Sequence, residues 1–161
     1  MFRQFLLLVF VIVPSLALAS DNCSNPVPVA RHFFESSNTF YYQSPPETLM
    51  TNKFYRVVSK EIDCLKKEGL CGLDYYPWTG TQDGEIGEPV SFELESCVDS
   101  SDTAIVVMKL PFILSPKKKS IQHIVHLILR KEQSECWKVH DLITPLGDSL
   151  LEKLSSFHHE Y

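Results

Sequence analysis

Asp74, Tyr75, Tyr76, Trp78, Gln82, Asp83 and Glu85 crowd into one stretch, 73–88, whose remaining residues are mostly turn formers. Connections in compact domains usually run about four to six residues, and longer ones tend to be functional loops or linkers. Tyr and Trp cover contact area at little conformational cost, and an amide among carboxylates makes a polar, acidic rim. The stretch therefore reads as a protein-binding surface, with Tyr75, Tyr76 and Trp78 as anchors and Asp74, Gln82, Asp83 and Glu85 around them. The same rings serve equally well to pack a loop onto its own core. Gly80, Gly84 and Gly87 do not have phosphate-loop spacing, and no helix follows them. The acids Asp74, Asp83, Glu85 and Glu88 miss the calcium-loop pattern, so no metal and no cofactor is expected.

Asp141 is the one candidate for catalysis. Trp137, Val139, Asp141 and Ile143 share a strand parity, which would place a carboxylate on an otherwise apolar inward face, where burial raises its pKa toward that of a general base. Tyr55 and His126 are the helpers for such an enzyme or ligand carrier. The competing role is structural, with Asp141 accepting hydrogen bonds from backbone groups or Thr144 near the strand end. His123 and His126 are three apart on a strand, hence on opposite faces, and are not expected to share a metal. His140 has the parity opposite Trp137 and should face solvent, while His158 and His159 lie in a tail, 158–161. No Gly-x-Ser-x-Gly elbow is present, so no catalytic residue is assigned beyond this candidate.

The five cysteines are Cys23, Cys64, Cys71, Cys97 and Cys136, an odd number. Cys64 and Cys71 flank a helix end at Gly69, where a local bridge would staple the base of the aromatic loop and contribute about 2 to 3 kcal/mol. Cys97 and Cys136 form the natural second pair, because a simple meander brings them to one end of the sheet. A flat sheet would nonetheless hold them about 9.5 Å apart, beyond disulfide reach. Cys23 is the alternative partner for either. Neither a Cys-x-x-Cys pair nor zinc spacing occurs.

Arg3, the apolar run 5–13, Pro14 and Ala17-Leu18-Ala19 read as a secretory signal peptide, 1–19, so a periplasmic or secreted protein is expected. A membrane span needs about 20 apolar residues, and no stretch supplies them, so stable membrane insertion is not expected. A formal charge of −5 gives no general support for nucleic-acid or anionic-membrane binding. Lys117, Lys118 and Lys119 follow Ser115-Pro116 and precede an apolar strand, and read as a solvated hairpin tip.

These residues must be held by helices first and a sheet second. After an extension, 20–28, the stretch 29–40 carries Ala30, Phe33, Phe34 and Phe40 on one helical face. A second helix should start at the Ser44-Pro45-Pro46-Glu47 capping signal and stop at Gly69, burying Met50, Phe54, Val57, Val58, Ile62 and Leu65. Strand patterns follow at 90–97, 103–114, 120–131 and 136–143, the first near an edge and the second central. Leu146, Leu150, Leu151, Leu154 and Phe157 form a last amphipathic turn that closes the core. The class is α+β, with N-terminal helices packed on a curved antiparallel sheet of four or more strands and a short C-terminal helix.

Two helices, an aromatic and acidic loop, and a meander ending in Trp137-Lys138-Val139-His140-Asp141-Leu142-Ile143 resemble the nuclear-transport-factor-2-like, cystatin-like cone over 29–157. Leu73-Asp74-Tyr75-Tyr76-Pro77-Trp78 with Gln82-Asp83 is similar to a segment of an uncharacterised bacterial envelope family that shares this fold and includes lipoproteins. Tyr76 stands where a second acid precedes the proline in that pattern. The resemblance implies a single domain with a pocket between sheet and helices, and a fold compatible with a homodimer through the open sheet face. It does not imply a reaction. The expected function is a non-catalytic binding protein of the bacterial cell envelope with a protein partner, an immunity or inhibitor protein being the specific version. The alternative is a small-molecule-binding protein or enzyme that uses the cone with Asp141 as base.

Overall fold

The computed structural model describes residues 25–37, 46–98, 102–115, 117–132 and 136–159. The expected signal peptide, the capping Ser44, Phe40 and Cys23 lie outside the described residues.

The first helix, α1, runs Pro26–Ser37. It begins three residues before the apolar pattern because Asn25 accepts the Val27 N–H at 3.0 Å and proline suits the first helical position. Val29, Ala30 and Phe33 are buried. The second helix does not start at the proline pair. Glu47–Leu49 forms a single 3-10 turn, Met50 is extended and bridges Val139, and α2 then runs Asn52–Glu68. Thr51 caps it, its hydroxyl accepting from Phe54 N, while its own N–H donates to the Val139 carbonyl at 2.9 Å. Met50 therefore reaches the core from an extended segment rather than from the helix. Gly69 ends α2 in the left-handed conformation, φ 79°, with its N–H on Leu65 O.

The strands are β1 Glu85–Ile86, β2 Ser91–Val98, β3 Thr103–Ile113, β4 Ile121–Lys131 and β5 Trp137–Ile143, followed by helix α3, Leu150–Phe157. All pairings are antiparallel, and β3 is central, with β4 then β5 on one side and both β1 and β2 along its other edge. The result is a curled half-barrel with the helices in its concavity, the expected α+β architecture. β3 alternates strictly between half-buried and buried residues, although apolar side chains occupy both parities. Its inner face meets the helices and its outer face does not.

Two bulges bend the sheet, one between Leu94 and Ser96 of β2 and one facing Ile128 and Leu129 of β4. At the second, Ile128 pairs with Asp141 and Leu129 with Val139, so His140 is the extra residue. An extra residue shifts the parity beyond it. Leu142 is thus fully buried, Ile143 only half-buried, and the simple alternation of burial expected for 137–143 fails after Asp141.

The cone is filled with side chains. Phe33, Met50, Phe54, Trp78, Met108, Leu127, Leu142 and Leu154 are all below 2 % exposed. Leu150, Leu151 and Leu154 of α3 close it as expected, whereas Leu146 and Phe157, read as part of the same closure, remain 58 % and 48 % exposed. No helix among the described residues is long and apolar enough to cross a membrane.

Candidate functional site

The aromatic loop is tied at its start by covalent and ionic chemistry together. Cys64 near the end of α2 is disulfide-bonded to Cys71, with Cα atoms 6.0 Å apart. One turn earlier on the same helix, Glu61 is 3 % exposed. Its Oε2 accepts from Gly72 N at 3.0 Å and its Oε1 from Leu73 N at 2.9 Å, and His158 Nε2 lies 3.0 Å from Oε2. A buried carboxylate is costly unless its lone pairs are occupied, and here two amides and an imidazole occupy them. Glu61 is absent from the residues that the sequence singled out. Its signal was a charge at the spacing of the buried stripe, between Val57 and Val58 on one side and Ile62 on the other. His158, expected in a tail, is instead held in this clasp.

Between Leu73 and Thr79 the chain turns Leu73, Tyr75, Pro77, Trp78 and Thr79 inward. Trp78 is fully buried, edge-on to Phe33 and Phe34 at centroid distances of 5.8 and 5.1 Å. Tyr75 is 9 % exposed, donates to Asp148 Oδ2 at 3.2 Å and carries the Lys153 ammonium 4.2 Å from its ring centroid. Burial raises the Tyr75 hydroxyl pKa, with Lys153 acting against the rise. Tyr75 and Trp78 are consequently parts of the core and not available as anchors for a partner. The apolar cluster of the two helices and sheet needed large rings, and the loop supplied them.

From Gly80 onward the loop opens. Tyr76 N donates to Thr81 O at 2.8 Å, while Thr79 N and Gly80 N both donate to Tyr76 O, which closes a tight turn. Thr81 Oγ1 lies 3.0 Å from Thr79 Oγ1 and donates to the Asp83 carbonyl at 2.8 Å. Gly84, at φ 106°, presses against Phe112: a Cβ there would sit 2.3 Å from Phe112 Cε2, so only glycine allows the approach. β1 then pairs along β3 as Glu85 with Ile113 and Ile86 with Phe112. This hidden strand, too short to show a period in sequence, fixes the direction of Glu85.

Tyr76, Thr79, Thr81, Gln82, Asp83, Gly84, Glu85 and Ile86 line an open groove of about 390 Å³. Of the seven residues expected to bind, Tyr76, Gln82, Asp83 and Glu85 meet there, Tyr75 and Trp78 are buried beneath, and Asp74 is exposed outside the groove lining. Thr79 and Thr81 are additions visible only in the folded loop. Two carboxylates, an amide, hydroxyls and a half-buried phenol ring suit the recognition of a cationic group by ion pairing, hydrogen bonding and ring contact.

Asp141 is built for a different task. Its Oδ1 accepts from Leu142 N at 2.7 Å and Leu151 N at 2.8 Å, and its Oδ2 from the Ser149 hydroxyl at 2.6 Å. Burial pushes its carboxyl above the ordinary value, against the pull of the Ser149, Leu151 and Leu142 hydrogen bonds. The carboxylate is occupied at the N-terminus of α3, and the cone over it is packed. The proposed helpers are engaged otherwise or lie on another element. His126 lies 4.0 Å from Glu95, and Tyr55 is half-buried on α2. His140, expected to face solvent, is half-buried with Nδ1 3.0 Å from Thr51 Oγ1. Burial, then Arg130 and Lys53, depress its pKa to about 4.

Cys97 is free and exposed, which overturns the expected Cys97–Cys136 pair. Cys97 faces Ala104, Ala104 faces Leu129 and Leu129 faces Val139. Three strand spacings, about 14 Å, separate β2 from β5, too far for a disulfide. Cys136 is nevertheless disulfide-bonded. Among the described residues, no group of three or more His, Cys, Asp or Glu side chains is placed to hold a metal ion.

The fold and site define a cone-like α+β domain with a loop groove on its rim. Compared with known proteins, the chain matches no family model, no curated protein and no solved structure.

Proposed function

We propose that this protein is a non-catalytic binding protein of the bacterial cell envelope whose 76–86 groove receives a basic segment of a protein partner. The observation that supports the reading is the groove lining itself: Asp83 and Glu85 stand with Gln82, Thr79, Thr81 and the Tyr76 ring, and no cationic side chain lines it. Export fits the signal-peptide pattern at 1–19 and the Cys64–Cys71 bridge, since disulfides persist in oxidising compartments. An inhibitor or immunity protein acting on a basic envelope or secreted partner is the specific form of this function. The cone is a weaker candidate site because its volume is taken by Phe33, Phe54, Trp78 and the β3 and β4 side chains.

The test is affinity capture from envelope extract under non-reducing conditions, with the parent chain and with Asp83→Asn combined with Glu85→Gln. A partner retained by the parent and lost from the double variant, with salt-sensitive retention, is the expected result. Equal retention by both chains overturns the groove as the binding surface.

A further inference from the structure

The β3–β4 hairpin ends in a turn carrying Lys117, Lys118 and Lys119, all exposed. Ion pairs such as Lys109–Glu93 and Lys138–Glu132 lie elsewhere, and none among the described residues involves the three turn lysines. The turn has its own backbone closure, with Lys118 N donating to Ser115 O at 2.9 Å. Phe112 and Ile121 face each other across the last paired rung. By strand alternation Leu114 and Ile121 project on the face that carries Phe112. Phe112 is 3 % exposed beneath Gly84, but Leu114 and Ile121 are 51 % and 57 % exposed, because they extend past the edge of the core.

Aliphatic side chains exposed singly are ordinary on any protein. Here two lie on one face at the end of a hairpin, on either side of three unpaired ammonium groups. We propose that the 114–121 tip is a peripheral docking site for an anionic lipid surface. Leu114 and Ile121 enter the boundary between headgroups and acyl chains, while the lysine stems lie along it and their ammonium groups meet the lipid phosphates. The net charge of −5 belongs to the molecule as a whole, and charges more than about 8–10 Å from the surface are largely screened at ordinary salt. The tip therefore approaches first. A nucleic-acid duplex would engage the lysines alone and leave Leu114 and Ile121 without a role. Because Glu85 pairs with Ile113 just before the tip, docking brings the 76–86 groove close to the lipid surface.

A fluorescent reporter at the tip tests this in the full chain. An environment-sensitive dye is attached to Ser120→Cys in a Cys97→Ser background, and vesicles of phosphatidylethanolamine and phosphatidylglycerol are titrated in against vesicles of phosphatidylcholine. The dye reads the tip itself, whatever the apolar stretch 5–13 does. The expected result is a blue shift on the anionic vesicles only. The apparent affinity should fall by about tenfold or more when all three lysines become Gln. It should also fall when Leu114→Ser and Ile121→Ser are combined. Absence of a shift overturns the proposal, as does a shift indifferent to the lysine changes. Indifference to the Leu114 and Ile121 changes, with equal binding to duplex DNA, overturns it in favour of a general polyanion patch. Circular dichroism spectra matching the parent confirm that each variant is folded.

Discussion

Two halves of one loop behave oppositely. Residues 73–79 bury Leu73, Tyr75, Trp78 and Thr79, whereas 80–86 leave Gln82, Asp83, Gly84 and Glu85 exposed around a groove. The boundary is the 76–81 turn, which the Tyr76 backbone closes while its ring lines the groove. Aromatic content alone is thus a poor guide to a binding surface. A ring next to a core that lacks volume is drawn into it, and the polar residues beyond the turn have no such destination. The buried half is a foundation and the exposed half is a platform built on it.

The sharpest way to break this division is Trp78→Ala. Loss of a fully buried indole between Phe33 and Phe34 should cost about 3–5 kcal/mol, read as a lowered denaturation midpoint. A cost near zero would mean that Trp78 is not part of the core in solution. Glu61→Ala comes next. It strands the Gly72 and Leu73 amides, and about 3 kcal/mol is expected from buried groups left unpaired, with faster amide exchange at both positions. Unchanged exchange there would remove the clasp from the account.

Replacing both Cys64 and Cys71 by Ser should cost about 2 kcal/mol in chemical denaturation, because the bridge closes only a short loop. His140 makes a prediction in pH. Its pKa is about 4 when folded and 6.5 ordinarily, so between these values the unfolded chain binds the proton and the folded chain does not. Stability contributed by neutral His140 is complete above pH 6.5 and is lost as pH falls toward 4. In His140→Gln this part of the acid sensitivity should be flattened, and an unaltered pH profile between the two values would contradict the assignment. The smallest effect is expected on the platform. Asp83→Asn with Glu85→Gln should change stability by less than about 0.5 kcal/mol while altering partner capture. A large loss of stability would place these acids in the foundation after all.

The order and type of the main elements were legible from periodicity: one helical stripe containing Phe54, Val57, Val58 and Ile62, a stop at Gly69, and four strands in meander order. The candidate site was legible in part. Tyr76, Gln82, Asp83 and Glu85 were named and do share the groove, but Thr79 and Thr81 join them only through the folded turn. Asp141 was noticed as a carboxylate on an apolar strand, and its use depended on Ser149 and Leu151, eight and ten residues away, arriving at its oxygens. The Cys64–Cys71 bridge was read correctly, but the Cys97–Cys136 pair was not, because the distance across a sheet depends on the number of intervening strands, which composition around a cysteine does not encode.

Local chemistry is therefore what the sequence determined by itself: hydrophobic period, the left-handed stop at Gly69, turn residues, and the 64–71 bridge between cysteines already close along the chain. Tertiary structure alone decided which aromatics are core and which line a groove, that Glu61 clasps the loop and His158 together, that a bulge at His140 reverses the strand face, and that Cys97 is free. The reason is physical. Backbone propensity and short-range spacing act over a few residues and are written in order along the chain. Burial and hydrogen-bond satisfaction are properties of the assembled core, so a side chain's role is settled by what distant segments bring to it.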